Sequence, residues 1–167
     1  MPHKQALPLP KPTYWLTYAG TLPFIACLTH VWYFNVAQQA YQFDAFAIFL
    51  NYAIAIQILI CISHWATILH QGEKLSLTAR WVLLPLSNII TLWTIFHPYV
   101  ELGSLTTILF SGLLFIMLYA IDYYFHKKSC WSASYIRLRR NVTAVVILCH
   151  IGLFICLLHI MRTQIIG

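Results

Sequence analysis

Five runs of roughly 20 apolar residues, about the length a membrane-spanning helix needs, take up most of this 167-residue chain: 14–34, 46–69, 81–96, 105–125 and 142–161. Within hydrocarbon no water is available to satisfy backbone N–H and C=O groups, so a spanning segment must be a helix or a strand of a closed barrel. The runs are continuously apolar rather than alternating, which excludes barrel strands. The expected fold class is therefore all-α, a polytopic membrane protein built as a bundle of five transmembrane helices. Composition points the same way. Hydrophobic residues make up 60% of the chain and charged residues 8%, against about 25% charged in soluble domains. So few charges cannot cover a soluble surface, and so apolar a chain is not disordered.

Residues 1–13 carry Pro2, Pro8, Pro10 and Pro12 and read as an extended tail ahead of a transmembrane domain over 14–161. Residues 162–167 form a second, short tail. The first run is too long for a secretory signal and lacks an A-x-A cleavage site, so it is expected to be retained. Pro23 should bend the first helix, and Pro85 should kink the third or delay its start. The connections are turn-sized except 126–141, a basic loop whose Trp131 and Tyr135 suit the membrane interface. No internal repeat of the kind that builds many transporters is visible.

Lysine and arginine fall almost entirely on one side. The tail holds Lys4 and Lys11, the second connection Lys74 and Arg80, and the fourth Lys127, Lys128, Arg137, Arg139 and Arg140. Arg162 alone lies opposite. The positive-inside rule then puts the N-terminus in the cytoplasm and the C-terminus outside. The expected location is a bacterial inner membrane, or the mitochondrial inner membrane with a matrix-side N-terminus. With its cations between apolar runs, the net charge of +6 marks orientation and not nucleic-acid binding.

Chemistry-bearing motifs are scarce. The five cysteines include no CxxC pair, and four lie in apolar runs where they act as small hydrophobes. Nucleophile elbows, HExxH zinc motifs and phosphate-binding glycine loops do not occur. The aromatic content reads as interfacial anchors such as Trp15, Trp32 and Trp81 plus packing.

Polar residues at membrane depth are costly unless paired, which makes them the candidate site residues. Gln57 and His64 stand one heptad apart and share a face of run two. Asn88 lies near the middle of run three. Counted from the inner ends of runs two and five at 1.5 Å per residue, His64 and His150 lie at roughly 8 and 12 Å, similar depths. They suit either axial ligation of a haem b or hydrogen bonds between helices; the second reading is favoured, with no resident cofactor or metal. Trp65 points about 100° away from His64 and can anchor the inner interface. Asp122, at the inner end of run four, is expected to clamp Arg139 or Arg140 rather than to relay protons.

The sequence also resembles domain-of-unknown-function family 3429, an uncharacterised family of small bacterial and mitochondrial membrane proteins that includes transmembrane protein 69. The likeness is carried by Tyr18-Ala19-Gly20 with Leu22-Pro23-Phe24, Asn51-Tyr52-Ala53, Ser63-His64-Trp65 and Leu84-Pro85-Leu86 with Trp93. Asp122, Leu138-Arg139 and Val142-Thr143 complete it. Where the family tends to set glycines around its His-Trp pair, this chain has Cys61, Ile62 and Ala66. The resemblance implies the five-helix architecture and draws attention to His64, Trp65, Asp122 and Arg139, but it implies no activity.

Two functional expectations follow. The first is a non-catalytic accessory or assembly subunit of a larger inner-membrane complex, a respiratory one foremost, contacting lipid and other integral-membrane subunits. The alternative is a stand-alone protein binding haem, quinone or a transported solute around Gln57, His64, Asn88 and His150.

Overall fold

The computed structural model of the chain describes residues 10–36, 42–96 and 103–166. These form α1 (Lys11–Ala19), α2 (Leu22–Val36), α3 (Gln42–Gln71), a 3-10 turn (Gly72–Lys74), α4 (Leu77–Phe96), α5 (Ser104–Lys127) and α6 (Ala133–Ile166). No strand occurs among the described residues. Four segments are long and apolar enough to cross a membrane: Ala45–Lys74, Leu77–Phe96, Ser104–Lys127 and Ala133–Thr163.

Several helix starts are written in short capping signals. Ser76 caps α4, its Oγ accepting the Ala79 N–H at 3.2 Å, and Ser132 caps α6 in the same way through the Tyr135 N–H at 3.2 Å. Serine at this position satisfies a backbone donor that the first helical turn leaves free. The α5 end is a Schellman turn. Cys130 N–H reaches the Phe125 carbonyl at 3.0 Å and Ser129 N–H the His126 carbonyl at 2.9 Å, while Ser129 takes a left-handed φ of 57°. That position favours glycine, because a Cβ there crowds the following carbonyl. Ser129→Gly should therefore stabilise the protein by up to about 1 kcal/mol, partly offset by glycine's greater freedom in the unfolded chain. Thermal unfolding in detergent, followed by circular dichroism, checks this.

The caps change the expected boundaries. Residues 126–141 are not one long loop: α5 runs to Lys127 and α6 already starts at Ala133, so Arg137, Arg139 and Arg140 are helical. α4 starts at Leu77 and continues through Pro85, so the Ser76 cap outweighs the proline and the helix does not start late. The first run is two helices rather than one bent one. The break falls at Gly20–Thr21, ahead of Pro23, which stands second in α2 where a missing N–H costs nothing. Carbonyls near the break are caught by side chains, Gly20 by the Tyr52 hydroxyl at 2.9 Å and Tyr18 by the Thr21 hydroxyl at 2.7 Å. At 15 residues, α2 is roughly 22 Å long, shorter than a bilayer core of about 30 Å. At the other end α6 continues through most of the expected tail, to Ile166. Residues 1–9 of the N-terminal tail and the centres of the 35–42 and 97–104 connections lie outside the described residues.

α3 is the hub of the bundle, packing against α2, α4 and α5, while α6 packs against α5 and α2. The arrangement is apolar outside and polar within. Leu59, Ile62 and Leu69 of α3, Ile89 of α4, Leu109 of α5 and Leu148 of α6 are exposed, whereas Gln57, His64, Thr94, Ser111, Asp122 and His150 are buried. A water-soluble fold would invert this distribution; lipid as solvent explains it.

Candidate functional site

Near one end of the bundle, three helices each deliver one charged or ionisable side chain to a common point. His64 lies about two turns before the end of α3, Asp122 in the last turns of α5, and Arg139 about two turns into α6. Asp122 is fully buried and uses both carboxylate oxygens. His64 Nε2 donates to Oδ1 at 2.5 Å, and Arg139 Nε donates to Oδ2 at 2.6 Å. An arginine remains charged in any environment, so the carboxylate is the counter-ion that makes its burial tolerable. Arg140, the other expected partner, is exposed, as is Arg137. Only Arg139 sits on the buried α6 stripe with Ile136, Leu138 and Thr143.

The α5–α6 turn closes this cluster. Trp131 stacks edge-on against Tyr135 with ring centroids 4.3 Å apart, and lies 5.5 Å from Phe125 and 5.8 Å from His64. Its indole N–H donates to Thr67 Oγ at 2.9 Å, one turn beyond His64 on α3. Lys74 reaches across to the Ser129 carbonyl at 2.9 Å, tying the 3-10 turn to the same closing segment. Sequence reasoning placed Trp131 at the membrane interface and gave it no part in the site. The serine cap at 132, which shortens the loop and folds Trp131 back over α3, was the available signal.

A second cluster lies one heptad further from that end on α3. Gln57 Nε2 donates to the Ser111 carbonyl at 3.0 Å and to Ser111 Oγ at 3.1 Å. Ser111 Oγ lies 3.1 Å from His150 Nε2, and His150 Nδ1 lies 2.8 Å from the Val146 carbonyl. The carbonyl needs a donor, so Nδ1 carries the proton and Nε2 accepts from the serine, an assignment made from the partners. Thr94 of α4 joins through Gln57 Oε1 at 3.4 Å. Phe49 and Phe115 pack on the His150 ring at 4.8 and 5.5 Å.

The structure thus divides the candidate residues. Gln57 and His150 share one cluster, His64, Asp122 and Arg139 the other. Trp65 is 41% exposed and faces away from both. Asn88 belongs to neither: the buried stripe of α4 is Leu83, Ser87, Ile90 and Thr94, and Asn88, one residue past Ser87, is turned outward. Equal depth for His64 and His150 also fails, because α6 begins well before residue 142 and His150 is correspondingly farther along it. With both His150 nitrogens bonded and Asp122 on His64 Nε2, the two rings do not fit the axial ligands of one haem. Among the described residues no group of three or more His, Cys, Asp and Glu side chains could hold a metal ion.

Chemically, the first cluster pins helices. If His64 does no more than bridge α3 to α5, His64→Gln should insert normally and cost about 0.6–2 kcal/mol, the range for one interhelical hydrogen bond in a membrane. Unfolding midpoints in detergent measure that loss.

The family model described as "Protein of unknown function (DUF3429)" matches residues 9–155 of the chain. The chain belongs to this family. Every residue of both clusters lies inside the matched DUF3429 region. Searches of the curated proteins and of the solved structures give no match.

Proposed function

We propose that this DUF3429 protein is a non-catalytic accessory or assembly subunit of a larger inner-membrane complex, with a respiratory complex as the expected host. One observation carries the reading: the ionisable groups of the buried clusters are engaged in tying helices together. Both oxygens of Asp122 and Nε2 of His150 are taken up in such bonds, while His150 Nδ1 is held by the Val146 carbonyl of its own helix. A rigidly pinned bundle with wide apolar outer faces suits docking better than turnover. The charge asymmetry supports a cytoplasmic or matrix-side N-terminus.

Extraction of native membranes in digitonin, native electrophoresis and identification of co-migrating chains test this. The expected result is a band well above the 19.3 kDa chain plus detergent, containing other integral-membrane polypeptides. Migration only as this chain, in one copy or several, would overturn the reading.

A second reading has one observation in its favour. A groove of about 290 Å³ runs between α5 and α6, lined by Ile108, Gly112, Ile116, Ile147, His150 and Phe154. Gly112 leaves the His150 ring within 3.6 Å of where a Cβ would stand, so the groove is apolar with one imidazole in its wall, which suits a quinone. Photo-crosslinking with an azido-quinone should label α5 or α6 and be lost in Gly112→Leu; labelling unchanged by that substitution would refute it.

A further inference from the structure

We propose that α4 is the contact helix of a homodimer, in which Asn88 pairs with Asn88 of a second copy. α4 has two opposite faces. One is buried on the bundle through Leu83, Ser87, Ile90 and Thr94. The other carries Trp81, Pro85, Asn88, Leu92 and Ile95, all exposed. Their spacing is four, three, four and three residues, the pattern by which one helix meets another along a continuous seam. α4 packs principally on α3, which leaves this outer seam open along the helix.

Asn88 is what separates this face from an ordinary lipid-facing one. It lies near the middle of the 20-residue helix, where an amide exposed to hydrocarbon is costly. Its amide has no hydrogen-bond partner among the described residues. The neighbouring exposed positions, Ile89 and Leu92 among them, are those expected of a surface that only touches lipid. A single asparagine in such a seam is a known way to set register and copy number.

The chemistry favours a second copy as the occupant. A carboxamide holds donor and acceptor in one group, so two of them can satisfy each other. Copies of one chain insert in the same orientation, so their two-fold axis runs along the membrane normal and α4 meets α4 in parallel. A residue on that axis then faces its own counterpart at equal depth, the self-complementary geometry of a two-fold interface. Another copy is certain to offer an amide at that level. This dimer is independent of docking into a larger complex, and either can hold without the other.

The test uses full-length protein in phosphatidylethanolamine–phosphatidylglycerol vesicles, with dimer fraction read by single-molecule photobleaching across protein-to-lipid ratios. The native chain should dimerise, Asn88→Leu should weaken association by about tenfold or more, and Asn88→Gln should stay within a few-fold of native. Leucine suits a lipid-facing helix position, and an unchanged circular dichroism spectrum and unfolding midpoint separate a lost interface from a lost fold. Leu92→Cys should form an oxidative cross-link, whereas Leu109→Cys on α5 should not. All five native cysteines are buried and give little background. A monomer at every ratio, a dimer as tight in Asn88→Leu as in the native chain, or cross-linking through Leu109 in place of Leu92 would overturn the proposal. So would cross-linking of Leu92→Cys in native membranes to a different polypeptide alone.

Discussion

Asp122→Asn is expected to destabilise the protein by about 3–5 kcal/mol, the cost of breaking a buried ion pair by removing one partner. Asparagine nearly preserves the volume and can still accept one hydrogen bond, so little of the loss comes from packing. What changes is charge. Arg139 is 8% exposed, and its guanidinium would remain ionised inside the bundle with no counter-ion. The damage should concentrate where α5 turns into α6, because Asp122 joins that end to α3 through His64. Thermal or denaturant unfolding in detergent gives the magnitude, and hydrogen exchange across 128–140 gives the location. A loss no larger than that of His64→Gln would mean that the carboxylate is not the central member of the cluster.

Trp131→Ala should cost a similar amount, about 3–5 kcal/mol for truncating a packed tryptophan. The ring stacks on Tyr135, borders Phe125 and His64, and hydrogen-bonds Thr67, so its removal opens the closed end of the charged cluster. Trp131→Phe keeps most of the ring packing but deletes the bond to Thr67, and should lose only about 1 kcal/mol. Unfolding midpoints of the two variants separate packing from hydrogen bonding. Equal losses would place the whole effect in the N–H group, contrary to the packing account.

The apolar runs made the membrane class and the long helices legible, because satisfying the backbone in lipid leaves few alternatives. The pairing of Asp122 with a nearby arginine was legible too, since few acids exist and one follows a basic segment. Choosing Arg139 over Arg140 required the helical phase of α6, and that phase depends on Ser132 as the cap. Hydropathy hid that start, since 133–141 is polar yet helical. Asn88 was misplaced for a related reason. Depth can be counted from a helix end, but facing cannot, and Ser87 and Asn88 differ by about 100° around α4. The break at Gly20–Thr21 carried only a glycine as its signal, and Pro23 drew attention to the wrong residue.

A double-mutant cycle of Asp122→Asn and Arg139→Gln in detergent-solubilised protein tests most directly whether this cluster is a structural clamp. Each single variant should lose several kcal/mol, since each strands a buried charge or its carboxylate partner. The double variant carries two neutral side chains able to hydrogen-bond, and should lose clearly less than the sum of the two, with a coupling of about 1–3 kcal/mol. Strictly additive losses would contradict the clamp, because the two side chains would then be acting independently.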